Sequence, residues 1–366
     1  MSDAVVTDDL QGKARDLSTK GIIARGIVLA VILGFIVIYP GATSTIGADR
    51  FTLAVIFAIV GLSVNILMGY AGQISLGHQA FVGLGAFAAA YLTSQAGVPF
   101  FLSIPLAGLI GGVIAIFLGV VALRIQGLYL ALITLAYGSL AERSIFGIPA
   151  LTGGGGGTPA PRPAGFTGDS AYAYLCLGVL AFLLFIDWRM LKSKFGRALQ
   201  AINSNELVAE SFGMNLVFYK VGAFVMAGIF AGIGGGLLGF REQHVVSADY
   251  TFALALTFVI MTVIGGLGNR IGVVLGSAFT AYLPFILNWA ADLFDFPKLV
   301  VARIAITAVL LLLTITKFPG GIGQQVQPLV TWLSGKPFPR HHKVEKPHQS
   351  IRERLGLGKK TEGMEP

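Results

Sequence analysis

A run of polar residues interrupts two long apolar stretches of the sequence. The segment GYAGQISLGHQAFVG, residues 69 to 83, places Gln73, Ser75, His78 and Gln79 among glycines, where a lipid-buried chain would carry Leu, Ile and Val. Polar groups are tolerated in a membrane crossing where the backbone is buried in protein or lines a wet cavity. Because a helix break exposes N–H and C=O groups that can hold a polar ligand, we predict that these residues line a path. Alternatively, they only bond neighbouring helices.

The composition indicates a membrane protein. The chain has 366 residues, of which 55% are hydrophobic and 12% are charged, and its mean hydropathy is +0.78. Such a chain is too apolar for a soluble domain. Since a crossing needs about 20 helical residues, we predict an all-α, polytopic transmembrane helix bundle. The predicted segments are 24–40, 51–69, 77–93, 99–122, 127–146, 171–187, 218–240, 251–267, 271–290 and 299–317.

The positive charges predict an orientation rather than a nucleic-acid partner. The formal net charge is +8. If the N-terminus is inside and every predicted segment crosses, most of the 26 Lys and Arg residues fall on the inner side, as the positive-inside rule requires. Both termini are therefore expected to be cytoplasmic. The expected organisation is a cytoplasmic tail over 1–23, a transmembrane domain over 24–320 and a largely flexible cytoplasmic tail over 321–366.

Few residues could catalyse a reaction, hold a metal or couple ion movement to transport. The acids nearest the crossings, Glu142, Asp187 and Asp292, fall near segment ends, so we expect no mid-membrane acid for ion coupling. His78 could relay protons, although a hydrogen-bonded histidine at a helix break is the more common case. The single Cys176 excludes an internal disulfide. We expect no metal, and no catalytic residues because no Ser/His/Asp set can be assembled.

Glycines recur at a four-residue spacing in two predicted segments. One segment carries Gly108 and Gly112, and another carries Gly228, Gly232 and Gly236. Small residues at this spacing let helix backbones approach closely in lipid. They predict helix packing and say nothing about a substrate.

The outer loop over 147–170 contains a run of five consecutive glycines. A phosphate-binding loop would need a following Lys-Ser/Thr pair and a preceding strand, and the sequence predicts neither. We therefore expect a flexible loop here.

The longest inner connection, residues 188–217, is expected to hold a short helix over about 204–212. Asn203 and Glu206 resemble a capping box, and Gly213 stands where a glycine cap would end the helix. So short a helix needs a surface to pack on. That surface could be its own bundle, the inner leaflet or the groove of a partner protein.

Six blocks of the sequence resemble the membrane permeases of branched-chain amino acid ABC importers, specifically the longer of the two paired permeases. The resemblance runs from about 50 to 322. The blocks are GYAGQISLGHQAFVGLGAF (69–87), RIQGLYLALITLAYG (124–138), LTGG (151–154), SKFGRALQAINSNELVAESFGMN (193–215), VIGGLGNRIGVVLGSAF (263–279) and KFPGGI (317–322).

The resemblance implies a permease subunit without ATPase motifs of its own. It implies a sister permease as a hetero-dimer partner, a periplasmic substrate-binding protein and two cytoplasmic ABC ATPases. ATP would be hydrolysed by those partners, and this chain would bind no cofactor. The resemblance also implies a multi-pass protein of the bacterial inner membrane that carries leucine, isoleucine or valine. Urea, short amides and other small amino acids are alternative substrates, and a self-sufficient facilitator or ion-coupled carrier is the alternative of another class.

The resemblance also suggests roles for particular positions. Tyr129 and Thr134 of the second block join the predicted path, and the segment 188–217 becomes the part that docks on an ATPase. Two positions depart from the family pattern: the LTGG loop lacks a nearby Asp or Asn, and Gly320 replaces an Arg. The residues expected to couple to the ATPase are Arg197, Asn203, Glu206, Glu210, Phe212 and Gly213.

Overall fold

The computed structural model describes residues 19–121, 127–152, 157–293, 309 and 320–333. These residues form α-helices, a few short helical turns and one pair of two-residue strands. The helices are α1 (Thr19–Ala42), α2 (Thr45–Asn65), α3 (His78–Ser94), α4 (Phe100–Val121), α5 (Leu128–Leu140), α6 (Pro149–Thr152), α7 (Asp169–Lys192), α8 (Lys194–Ser204), α9 (Glu206–Ser211), α10 (Leu216–Glu242), α11 (Phe252–Gly265), α12 (Arg270–Leu293) and α13 (Gly321–Leu333).

Seven helical segments among the described residues are long and apolar enough to cross a membrane, so the chain is a multi-pass helical membrane protein. The predicted number of ten crossings is not established. The predicted segment 77–93 corresponds to α3, and 127–146 to α5 with its π-helical extension Ala141–Ile145. The segment 299–317 lies outside the described residues except for Val309. The seven spans are Ile23–Ala42, Thr45–Tyr70, Phe100–Val121, Asp169–Lys192, Leu216–Glu242, Ser247–Gly265 and Arg270–Trp289.

The centre of the bundle is α10, which packs against α2, α3 and α4. At two points of its contact with α4, backbone packs directly on backbone. A Cβ atom at Gly228 would overlap the carbonyl oxygen of Gly111, and one at Gly232 would lie 2.5 Å from the carbonyl oxygen of Ala107. Only glycine lets these helices approach so closely, which is how small residues hold helices together in lipid.

The other glycines of the predicted packing pattern lie at the same contacts. A Cβ atom at Gly108 would lie 2.7 Å from the side chain of Ile233, and one at Gly112 would lie 2.7 Å from Ile229. At Gly236 the nearest atoms belong to α3 and α4, at 3.1 Å. The glycines of α4 and of α10 therefore lie on the two sides of one helix contact, and Gly236 lies at its edge, next to α3.

The outer loop is ordered over residues 157–168, so the expectation of a flexible loop is wrong for this part. Strand β1 (Thr158–Pro159) pairs antiparallel with β2 (His244–Val245). The guanidinium of Arg162 donates to the carbonyl oxygens of Phe240 and Arg241, at 3.4 and 3.2 Å, and so caps the end of α10. Residues 153–156 of the glycine run lie outside the described residues.

The predicted C-terminal tail is not wholly irregular. Helix α13 occupies Gly321–Leu333, within the range expected to be flexible. The tail thus begins with a helix, and its expected flexibility stays a prediction for residues 334–366, which lie outside the described part of the chain. All contacts described below lie within one compact unit, Ile27–Gln327.

We predict that Gly232→Ala destabilises the bundle by about 1–3 kcal/mol, because the added methyl group is forced into the backbone of α4. The matched control is Gly178→Ala in α7, where an added Cβ meets no atom within 4 Å. The midpoint of thermal unfolding in detergent should fall for the first variant and stay level or rise for the second. If Gly232→Ala unfolded at the same temperature as Gly178→Ala, the backbones of α4 and α10 would be able to move apart without loss of stability.

Candidate functional site

The helix break predicted from the glycines is present between α2 and α3. Helix α2 continues as a π-helical turn, Ile66–Tyr70, and residues 71–77 are not helical before α3 begins at His78. Gly72 has a φ of +66°, a conformation that residues with a Cβ rarely adopt. Gly77 lies so close to α5 that a Cβ atom would overlap the carbonyl oxygen of Thr134. Glycine is thus needed both to turn the chain and to pack it.

His78 joins the break to two neighbouring helices. Its Nε2 atom lies 2.7 Å from the Ser63 hydroxyl, and its Nδ1 atom lies 3.3 Å from the Ser75 hydroxyl. The Ser63 hydroxyl donates to the carbonyl oxygen of Ala227 at 2.6 Å, so it accepts from His78 Nε2–H and Nδ1 accepts from Ser75. Both ring nitrogens are therefore engaged, which favours a structural role for His78 over a proton relay.

These bonds lie near the middle of a helix that is long and apolar enough to cross a membrane. Ala227 is eleven residues into α10, which corresponds to about 16 Å along the helix axis at about 1.5 Å per residue. A hydrocarbon core is about 30 Å thick. The break consequently ends near mid-depth, where polar groups from the protein replace water.

Two glutamines at the break carry buried polar atoms without partners. Gln79 is fully buried, and neither Nε2 nor Oε1 is hydrogen-bonded to any residue that the structure describes. The Gln73 amide nitrogen donates to the carbonyl oxygen of Ala71 at 3.3 Å, while its Oε1 has no partner within the described ranges. An unsatisfied buried polar atom costs about 1–3 kcal/mol. A polar ligand at the break would remove that cost.

Of the two path residues predicted on α5, Thr134 contacts the break and Tyr129 does not. The Thr134 hydroxyl accepts from the backbone N–H of Leu76 at 2.9 Å, and Thr134 is fully buried. Tyr129 is 74% exposed and has no described contact with the break. The structure therefore assembles Gln73, Ser75, His78, Gln79 and Thr134, but not Tyr129.

Sequence reasoning missed Tyr137. Its hydroxyl is buried and is not hydrogen-bonded to any described residue, and its ring lies 5.5 Å from that of Phe81 in α3. The neighbouring Gly138 packs directly against the Gln79 amide. The only available signal for Tyr137 was that it lies in the same sequence block as Thr134. A tyrosine in an apolar helix otherwise predicts simple packing.

The inner connection contains two helices instead of the single helix expected over 204–212. Helix α8 ends at Ser204, and α9 begins at Glu206 with Asn205 as the cap, whose side chain accepts from Val208 N–H at 3.1 Å. The capping-box prediction for Asn203 is therefore wrong. Gly213 has a φ of +77° and ends α9, as predicted.

The side chain of Asn203 instead contacts the helix break. Its amide nitrogen donates to the carbonyl oxygen of Gly69 at 3.1 Å. A second inner contact is made by Asp187, a buried residue at the end of α7, which accepts from the Tyr70 hydroxyl at 3.3 Å and pairs with Arg270 at 3.3 Å. The start of the break is thus held by three inner elements.

Glu206 faces its own bundle. Its carboxylate pairs at 2.7 Å with the ammonium of Lys220 in α10, and the Lys220 side chain is only 2% exposed. The outward face of the segment is apolar, with Leu207 79% exposed and Phe212 78% exposed. Arg197 and Glu210 are also exposed, and Arg197 donates to the carbonyl oxygen of Lys192 at 2.8 Å.

A multi-pass helical bundle with a polar break in a buried crossing is typical of a membrane transport protein. The chain belongs to the family described as branched-chain amino acid transport system / permease component, which matches residues 46–315. Membership in this family indicates a transport subunit rather than an enzyme.

Curated relatives carry the same description. The chain is 28% identical over 283 residues to the high-affinity branched-chain amino acid transport system permease protein LivM of Salmonella typhimurium, covering 70% of this chain and 67% of that protein. It is 22% identical over 260 residues to a probable LivM permease of Methanocaldococcus jannaschii, covering 60% and 75%. A probable LivH permease of the same organism is 26% identical over 145 residues, covering 39% and 45%.

We predict that Glu206→Ala destabilises the inner segment by about 1–3 kcal/mol, since it removes the carboxylate that contacts the buried Lys220 ammonium. The double variant Glu206→Ala/Lys220→Met should recover most of the loss, because an apolar side chain then replaces the buried charge. Thermal unfolding midpoints of the four proteins in the double-mutant cycle measure this coupling. Additive effects would show that the pair contributes nothing.

Proposed function

We propose that this chain is a permease subunit of an ABC importer that carries leucine, isoleucine, valine or similar small amino acids across the bacterial inner membrane. The observation that carries the proposal is the buried break with a glutamine amide that has no partner among the described residues, in a chain that belongs to a branched-chain amino acid permease family. An aliphatic amino acid has charged ends that need hydrogen-bonding groups and a side chain that needs apolar walls. The break and the helices around it offer both.

The path begins at the break and uses groups that are buried in the bundle. The Gln79 amide can donate to a carboxylate and accept from an ammonium group. Gln73 Oε1 and the Tyr137 hydroxyl add an acceptor and a donor that have no partner among the described residues. His78 and Thr134 support the backbone of the break rather than contact the substrate, because their polar atoms are already bonded.

The energy for transport comes from partner subunits in this proposal. The exposed apolar face of α9, formed by Leu207, Val208 and Phe212, docks in a groove of a cytoplasmic ABC ATPase. Two such ATPases hydrolyse ATP, and this chain binds no cofactor. A sister permease completes a hetero-dimer, and a periplasmic binding protein delivers the substrate. Both termini then lie in the cytoplasm.

The deciding experiment is uptake of radiolabelled leucine into vesicles that hold this chain, its sister permease, the ATPases and the binding protein. We expect uptake that requires ATP and is not reduced by acetamide or urea. Competition by either compound would move the substrate class to small amides. Uptake by this chain without the ATPases would show a self-sufficient carrier and contradict the importer assignment.

We predict that Phe212→Ala weakens docking of the ATPase by about tenfold or more, because an exposed aromatic anchor at an interface is worth about 1–3 kcal/mol. The matched control is Phe182→Ala, which truncates a phenylalanine that is 63% exposed within α7. ATPase co-purified per permease should fall for Phe212→Ala only. Equal retention by both variants would place the ATPase contact elsewhere.

We predict opposite effects of Gln79→Leu on stability and on transport. Replacing a fully buried amide that has no described partner should raise the unfolding midpoint, while leucine uptake should fall about tenfold or more. The matched control is Ser277→Ala, which removes a buried hydroxyl on α12, beside Gly61, that also has no partner in the described part of the chain. It should raise stability and leave uptake unchanged. Normal uptake by Gln79→Leu would exclude Gln79 from the path.

A further inference from the structure

The carbonyl group of Gly69 lies where a helix ends, half-buried beside the segment 188–217. The π turn closes with the Ala71 N–H bonded to Ile66, and the Gln73 N–H bonds to Leu67 rather than to Gly69. The chain then leaves the helix, so the Gly69 carbonyl is open to a donor from another part of the protein. Asn203 supplies that donor from the last turn of α8.

The contact between Asn203 and the break is close as well as hydrogen-bonded. A Cβ atom built at Gly72 would lie 3.6 Å from the Cβ of Asn203 and would overlap its Oδ1 atom. Asn203 is also free for this contact, because the cap of α9 is provided by Asn205. The side chain thus contacts both the last turn before the break, at Gly69, and the break itself, at Gly72.

The same inner segment carries the apolar face that the proposed function assigns to the ATPase. One residue, Asn205, separates α8 from α9, and α9 is tied to α10 by the Glu206–Lys220 pair. A displacement of α9 therefore reaches Asn203 through a short, bonded connection. No long loop intervenes to absorb it.

We infer that Asn203 is a positioning residue that couples the ATPase-contacting segment to the helix break, so that the two move as one body during transport. This inference rests on the proposed function. The hydrogen bond to Gly69 persists through the cycle and transmits the movement of α9 to the residues that line the path.

The first test is Asn203→Ala in the complete complex, with Ser204→Ala as the matched control. The Ser204 hydroxyl bonds only within its own helix, to the Gln200 carbonyl at 2.9 Å, among the described contacts. We expect Asn203→Ala to retain its ATPases and to hydrolyse ATP, while leucine uptake per ATP falls about three- to tenfold, the factor carried by one ordinary hydrogen bond. An unchanged ratio, or loss of the ATPases, would overturn the inference.

The second test replaces the hydrogen bond by a covalent one. The pair Gly72→Cys/Asn203→Cys, in a Cys176→Ala background, places two Cβ atoms about 3.6 Å apart, within the range of about 3.5–4.5 Å that disulfides require. If the two elements move as one body, the oxidised protein should recover the uptake per ATP that the reduced protein loses. Gly72→Cys alone measures the effect of a side chain at this strained position.

The opposite result, an active reduced pair that oxidation blocks, would show that the contact opens during transport and would overturn the inference. Equal activity in both forms would show that the contact is not needed. Failure of the proposed function is distinguishable from either result, because the unaltered complex would then show no ATP-dependent uptake of leucine.

Discussion

Each backbone N–H and C=O that a broken helix exposes inside a bilayer must be satisfied by the protein or by a ligand. The surroundings of residues 71–77 follow from this requirement. Thr134 meets this requirement by bonding the N–H of Leu76 within the break, and Asn203 bonds the carbonyl of Gly69 at the exposed helix end just before it. Helices that are distant in sequence meet at the break because each supplies a group that the broken helix lacks.

The sequence was sufficient to predict features that depend on residue type and local spacing. The glycines at 69, 72 and 77 predicted a break, and the four-residue spacing of Gly228 and Gly232 predicted a close helix contact. Both predictions follow from local sterics: only a residue without a Cβ can turn the chain at positive φ or let two backbones touch. Most of the crossings were also predictable, because the length of an apolar stretch is enough to define them.

Contacts between distant residues could not be predicted in this way. Glu206 pairs with Lys220 rather than facing outward, and Asn203 reaches Gly69, 134 residues earlier in the chain. The outer loop has a defined structure because its strand pairs with residues 244–245 and because Arg162 caps the C-terminal end of α10. The sequence of α5 alone could not show that Tyr129 is exposed while Thr134 faces the break, because tertiary packing decides which side of the helix faces inward.

The contact between α4 and α10 has a mechanical consequence. Where backbone meets backbone, at Gly228 and Gly232, no side chain can rearrange to accommodate sliding, whereas helices separated by larger side chains can shear past one another. We therefore expect α4 and α10, together with α3 packed on the other side of α10, to act as the fixed frame of the molecule. The peripheral helices then turn against this frame, while α9 and the start of the break move with it, because the Glu206–Lys220 pair ties α9 to α10 and Asn203 bonds Gly69.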